Sequence, residues 1–407
     1  MARKHLTEKS GNGCGTRDSR HEAVSVHSVG SRDQNVHWQG AQSPKKRSLL
    51  VVNEHFLGER NAANGHYGQT LSTFPRDIET MKIAIVDCGS NTFNLLVAES
   101  GREGWTPLFR SKLPVKLGSG GYGARRILHD RFVRGLDALL SYRHAMDNYG
   151  VQKVYAFATS AIRDAENGDD FIREADRLAG IQIQLINGDR EAELIFGGVK
   201  LAYPMSKDYT LVMDIGGGST EFIIANESGI AWKRSYQLGV SRVFDQIKPE
   251  DRISRENTLA LRSLLDREMT DLREALASYP CKDLVGSSGS FDTLLDLFRH
   301  AAREVDITQK PDVINEIPLS AYPAIHAWLI GSTLAERLRH TAIPPIRAEL
   351  MPLSSLLVKY VLELHPFKRL LQCAYALKEG AMQELWASHD WTDHDLEAES
   401  PDDFLES

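Results

Sequence analysis

Cysteine is scarce in this chain. The four residues, Cys14, Cys88, Cys281 and Cys373, lie too far apart to form a CxxC pair or a Cys/His cluster with zinc-ligand spacing. That excludes a disulfide scaffold and fits a reducing compartment. Long hydrophobic runs are missing too: no stretch approaches the roughly 18 apolar residues that a membrane-spanning helix needs. The N-terminus carries no apolar leader core. The expectation is a soluble, cytoplasmic chain with no membrane partner. There is no GxxxxGK[ST] loop and no serine nucleophile elbow with ordered acid and histidine partners, which sets aside P-loop and serine-hydrolase chemistry. Basic charge is also in deficit beyond residue 80, with 37 Lys/Arg against 47 Asp/Glu, a net of −10. The stretch 390–407 holds eight acidic residues and neither Lys nor Arg. Duplex binding depends on neutralising phosphates, so nucleic acid is not an expected partner. Any polyanionic substrate must meet a local cationic site.

What is present is a length of 407 residues with 42 % apolar and 25 % charged composition, enough for two ordinary globular domains. Residues 1–80 have neither helical nor strand periodicity and are rich in Gly, Asn, Ser, His and Arg. They are expected to be a disordered or dispensable extension. Met81 stands directly before the first strong strand pattern and is a candidate translation start.

From Lys82 the pattern changes. Lys82-Ile-Ala-Ile-Val-Asp87 predicts a buried strand, Cys88-Gly-Ser-Asn91 a turn, Thr92 to Ala98 a returning strand and Trp105 to Val115 a third. A glycine-rich loop follows, Gly118-Ser-Gly-Gly-Tyr-Gly123, with Arg125 and Arg126 behind it, and then strands and amphipathic helices alternate to about Lys200. The theme restarts at Tyr209-Thr-Leu-Val-Met-Asp214, with Ile215-Gly-Gly-Gly218 as its turn and strands from Ser219 and Ile230. Residues 319–388 read as mostly helical. A unit that occurs twice, with strands and helices alternating after it, predicts an α/β fold of two similar domains facing each other across an interdomain cleft. Domain I is expected over 81–203 and domain II over 204–388, with the last helix able to pack back on domain I and an acidic tail over 389–407.

Five segments carry candidate chemistry. In Asp87-Cys-Gly-Ser-Asn-Thr92 a carboxylate ends a strand, and Gly89, Ser90 and Asn91 allow close backbone approach to a phosphate; a plain polar hairpin explains this segment equally well. Asp214-Ile-Gly-Gly-Gly-Ser-Thr-Glu221 is sharper. Gly216, Gly217 and Gly218 with Ser219 can admit an anion, and Asp214 and Glu221 can hold a hard cation through oxygen. Glu191 lies in the first turn of the helix that starts at Gly188, where helix capping competes with a role as general base. Arg163 follows a strand and carries a fork suited to phosphate. In Gly286-Ser-Ser-Gly-Ser290, Ser288 and Gly289 open a helix and make a third anion cradle. Arg190 and Glu193 read as a solvated helix face.

These segments resemble the exopolyphosphatase and guanosine pentaphosphate phosphohydrolase family, which belongs with actin, sugar kinases and the large heat-shock chaperones. The matching stretches are Asp87-Cys-Gly-Ser-Asn-Thr, Ala158-Thr-Ser-Ala-Ile-Arg-Asp-Ala, Asn187-Gly-Asp-Arg-Glu-Ala-Glu-Leu-Ile, Asp214-Ile-Gly-Gly-Gly-Ser-Thr-Glu, Gly286-Ser-Ser-Gly-Ser and Tyr375-Ala-Leu-Lys-Glu-Gly380, in the right order over 81–388. The resemblance implies two ribonuclease-H-like domains of the actin-like ATPase type and hydrolysis of terminal phosphoanhydrides with Mg2+ or Mn2+. It implies that Glu191 activates water, that Asp214 and Glu221 face metal and phosphate, and that Asp87, Ser90, Asn91, Arg163 and Gly216 to Ser219 build the phosphate site. Inorganic polyphosphate is the implied substrate. A phosphorylated guanosine nucleotide and a non-catalytic sensor of either ligand are the alternatives, and a homodimer is compatible with the family. Arg190 stands where the family often has a second Glu, Cys88 and Thr92 replace commoner neighbours, and Lys378 replaces a frequent Arg.

Overall fold

The protein is represented by a computed structural model that describes residues 80–302 and 312–389. The expected N-terminal extension and nearly all of the acidic tail lie outside the described residues.

The chain runs through β1 (Met81–Cys88), β2 (Thr92–Gly101), β3 (Gly104–Pro114), α1 (His129–Tyr149), β4 (Lys153–Ala158), α2 (Ser160–Arg163), α3 (Gly168–Ala179), β5 (Ile183–Leu185) and α4 (Gly188–Ala202). A second series follows: β6 (Tyr209–Ile215), β7 (Thr220–Asn226), β8 (Gly229–Tyr236), α5 (Val240–Ile247), α6 (Arg255–Glu268), α7 (Thr270–Ser278), β9 (Cys281–Ser287) and α8 (Ser288–Ala302). It ends with β10 (Ile314–Ile317), α9 (Tyr322–Gly331), α10 (Leu334–Arg339), α11 (Met351–Leu364), β11 (Arg369–Cys373) and α12 (Leu377–Ser388).

The first sheet has the order β3-β2-β1-β4-β5 and the second β10-β11-β9-β6-β7-β8. In each, a three-stranded antiparallel meander is extended by parallel strands on the far side of its first strand. The repeated sequence unit is therefore a repeated sheet topology. One expectation over 319–388 needs correction, because Arg369–Cys373 is a strand inserted between β10 and β9. Four of its five residues are buried but only Leu370, Leu371 and Cys373 are apolar, and such a short run has no period that separates strand from helix.

Strand register explains how the sheets are covered. Successive side chains face opposite ways, so a strand buried on both faces reads as one continuous apolar run. Ala84, Val86 and Cys88 of β1 pack outward under α1 and α3, whereas Ile83 and Ile85 face the layer between the sheets. Leu211 and Met213 of β6 face the helices of the second half, while Val212 faces inward, as Ile223 of β7 does. The middle layer holds α4 and α12, through Leu194, Ile195, Val199, Leu377, Ala381 and Met382. These two helices touch at backbone distance: a Cβ on Gly380 would lie 1.8 Å from the Leu194 carbonyl oxygen, and one on Gly198 would lie 2.0 Å from that of Ala376. Among the described residues no helix is long and apolar enough to cross a membrane.

Candidate active site

The same alternation places the acids. Asp87 shares the inward parity of Ile83 and Ile85, Asp214 that of Val212, and Glu221 that of Ile223. Asp214 and Glu221 are direct ladder partners. At this end of the middle layer α4 begins, and its first turn carries Glu191. The Asn187 side chain caps α4 by accepting the Arg190 amide at 2.8 Å, so Glu191 does not make the N-cap hydrogen bond, while its first-turn position still faces the favourable end of the helix dipole. Glu191 is 8 % exposed, and its Oε2 is buried with no hydrogen-bond partner.

A cleft of about 1130 Å³, open solvent included, runs past these groups. Asp87, Gly89, Ser90, Asn91, Glu191, Asp214, Gly216, Gly217, Ser219, Ser288 and Gly289 all line it. The two glycine turns meet there: a Cβ on Gly217 would come 2.7 Å from the Asn91 side chain, and one on Gly218 would come 2.2 Å from Ser160 Oγ. Ser241 Oγ donates to Asn91 Oδ1 at 2.7 Å, and the Ser90 and Ser160 hydroxyls are 3.0 Å apart. The third cradle serves Asp214. The hydroxyls of Ser287 and Ser288 donate to it at 2.7 and 2.6 Å, and Ser288 holds a φ of 69° that a non-glycine residue rarely adopts. Asn94 Nδ2 donates to Asp87 Oδ2 at 2.9 Å, and Ser235 Oγ donates to Glu221 Oε1 at 2.6 Å.

Burial of these acids next to one another raises all their pKa values. Desolvation lifts Asp87 to about 6, against the opposing Asn94 hydrogen bond. It lifts Asp214 despite its two serine donors. Glu191 is pushed well above the carboxylate range by burial first and by Glu221 second, and Glu221 is raised by burial and by Asp214. Such a set relaxes when a cation arrives.

The donors available are all oxygen, which suits a hard cation. Among the described residues no three His, Cys, Asp or Glu side chains gather closely enough to hold a metal by themselves. Mg2+ takes one or two carboxylates alongside waters and substrate oxygens, and Asp214 at the cleft wall offers one such carboxylate.

Arg163 sits apart from the other candidates. It lies behind Glu191, with Nη1 3.6 Å from Glu191 Oε2 and donating to the Ile186 carbonyl at 2.8 Å, and it lines a second pocket. Glu221 and Gly218 are likewise set back behind the cleft wall. Arg190 and Glu193 are not a free solvated face: Arg190 pairs with Glu384 and Glu193 pairs with Lys233, tying α4 to α12 and β8.

Sequence reasoning missed Arg347 and Asp292. Lys112, Arg347 and Lys378 line the cleft and supply its positive charge, and Asp292 lies 3.5 Å from Lys112 and 3.6 Å from Arg347. Arg347 stands in the loop between α10 and α11 with no motif around it, so only tertiary structure brings it to the site.

The pattern of two glycine turns, buried carboxylates and a helix-borne glutamate has relatives. The model of the Ppx/GppA phosphatase family matches residues 96–389. The chain belongs to the Ppx/GppA phosphatase family. It is an enzyme of the phosphoanhydride hydrolase type on the actin-like fold of that family. "Exopolyphosphatase 1" of Mycobacterium tuberculosis is 28 % identical over 306 residues, covering 74 % of this chain and 87 % of that protein. The crystal structure of an exopolyphosphatase from Cytophaga hutchinsonii superposes with a TM-score of 0.74 at 32 % identity, covering 76 % of this chain and 99 % of that one. The Aquifex aeolicus Ppx/GppA structure shares the fold, with a TM-score of 0.63 at 21 % identity over 77 % of this chain and 100 % of that one.

Proposed function

We propose that the protein is an exopolyphosphatase, removing terminal phosphates from inorganic polyphosphate as orthophosphate. The observation that carries the chemical part is Glu191 Oε2, a buried carboxylate oxygen that accepts no hydrogen bond and has Arg163 3.6 Å away, beside two glycine turns. The amides of the turns at 89–91 and 216–219, with the start of α8 at Ser288 and Gly289, receive the terminal phosphate. Asp214 would hold a divalent cation at the cleft wall, with its ladder partner Glu221 adding negative charge from behind it, and the cation would neutralise phosphate oxygens. Glu191 takes a proton from a water whose oxygen bonds to the terminal phosphorus. The bridging P–O bond breaks, and the electron pair leaves on the chain shortened by one unit. Phosphoryl transfer needs mainly positioning and charge stabilisation, which matches a site with no covalent nucleophile in place. Lys112, Arg347 and Lys378 meet the next phosphates of the chain.

The substrate rests on the named relatives; the alternatives are a guanosine pentaphosphate and a sensor without turnover. The deciding experiment offers polyphosphate and guanosine pentaphosphate side by side and measures orthophosphate release with Mg2+, with Mn2+ and after chelation. We expect release from polyphosphate that stops on chelation and returns with either cation. Release from the nucleotide alone would move the assignment to the phosphohydrolase alternative. Binding of either ligand without release would leave the sensor.

A further inference from the structure

Behind the catalytic cleft lies a second cavity of about 870 Å³, open solvent included, lined by Tyr122, Arg125, Arg126, Arg163, Asp164 and Arg242 among others. Four guanidinium groups gather around this one cavity, although residues 81–389 hold slightly fewer Lys/Arg than Asp/Glu, 37 against 39. Only one carboxylate lines it. Asp164 serves two of the arginines, pairing with Arg242 and lying 3.5 Å from Arg163 Nε. Arg125 and Arg126 are exposed and pair with no carboxylate among the described residues. Arg163 also lies 3.6 Å from Glu191 Oε2, so the uncompensated positive charge of the cavity is that of Arg125 and Arg126, whose planar forks match phosphate oxygens.

The wall between this cavity and the cleft is thin. A Cβ on Gly218 would meet Ser160 Oγ at 2.2 Å, Tyr122 Oη at 2.7 Å and Ser90 Oγ at 2.9 Å, so these groups form a single layer. Arg242 braces that layer, donating to the Gly218 carbonyl at 2.8 Å and lying 4.5 Å from the Tyr122 ring centre. Arg163 has access to both sides, reaching Glu191 with one end and lining the cavity with the rest.

We propose that this four-arginine cavity is a second phosphate-binding site, distinct from the catalytic cleft and taking a phosphate group of the product orthophosphate or of a polyphosphate chain. The choice of phosphate as ligand rests on the proposed hydrolase function; the uncompensated cationic cavity does not. The test uses the full chain carrying Glu191→Gln, so that phosphate chains are not consumed, and isothermal titration calorimetry with orthophosphate and, separately, tripolyphosphate. The double change Arg125→Ala/Arg126→Ala removes two exposed side chains outside the catalytic cleft. We expect it to weaken orthophosphate binding at one site at least tenfold, while Arg173→Ala/Arg177→Ala, which removes equal charge from the exposed face of α3, has no such effect. Loss confined to tripolyphosphate would assign the cavity to the substrate chain. Superimposable isotherms for both ligands would overturn the proposal, as would an equal loss in the α3 control. Hydrolysis by the unchanged protein is measured apart, so a failure of the polyphosphate assignment and a failure of this site give different results.

Discussion

At the scale of single residues, the site stores like charges that folding alone does not favour. Replacing Glu191 by Gln preserves shape and removes basicity; we expect turnover to drop by about 10²–10⁴, measured as orthophosphate release from a folded variant. The raised pKa of Glu191 also means that its protonated, inactive form persists to higher pH than for an ordinary glutamate. The acidic limb of the kcat/KM profile should accordingly lie above the usual carboxylate range. Asp87 makes a matching prediction for stability. Its pKa rises from 3.8 to about 6 on folding, so the folded chain binds the proton more tightly than the unfolded chain does. Its contribution is most favourable below about pH 4 and is lost as pH rises through about 6. Asp87→Asn should therefore melt progressively higher than the parent as pH is raised from 4 to 7, and a constant difference across that window would contradict the assigned shift.

At the scale of elements, the crossing of α4 and α12 holds Glu191 in place. Those helices approach so closely that Gly380 and Gly198 leave no room for a methyl group. The obstacles are backbone carbonyls rather than mobile side chains. Gly380→Ala should force the helices apart and cost about 1–3 kcal/mol, as overpacking does. It should also reduce kcat by tilting the first turn of α4, even where the substrate KM stays near its original value. Calorimetric melting together with steady-state kinetics checks both. An alanine variant with unchanged Tm would mean that the crossing is looser than described. The pair Arg190–Glu384 reinforces the same crossing and Lys233–Glu193 ties α4 to β8, but both are partly exposed and add little by comparison.

At the scale of the whole molecule, charge distribution sets the expected substrate length. A long polyanion needs a continuous basic track. The cations around the glycine-rich loop are divided: Lys112 lines the cleft, Lys116 lies 3.9 Å from Glu349, and Arg125 and Arg126 line the separate cavity. Cleft cations number three, Lys112, Arg347 and Lys378, and two of them neighbour Asp292. We expect a preference for short or medium chains, release of the product after one or a few cuts, and rates that fall as salt screens the contacts over about 8 Å. A time course on chains of defined length, resolved on a gel, should show a ladder of intermediates. Long chains that disappear faster than short ones, without intermediates, would argue for a processive track.

Much of the fold and site was legible in sequence order because its signals are local. The buried strands ending in Asp87 and Asp214, the glycine turns after them and the start of α4 at Gly188 each depend on a few consecutive residues. The repeat of one unit then implied two facing sheets. Strand parity is equally local, and it determines that Asp87, Asp214 and Glu221 face the middle layer once that layer is known. The sequence could not show that Asn187 takes the cap of α4 or that Glu191 Oε2 is buried. Nor could it find β11, Arg347 or Asp292, or place Arg163 behind the cleft, because those positions arise from contacts between residues far apart in the chain. Charge and hydrogen-bond partners across a cleft are properties of three-dimensional neighbours, and only tertiary structure decides who those neighbours are.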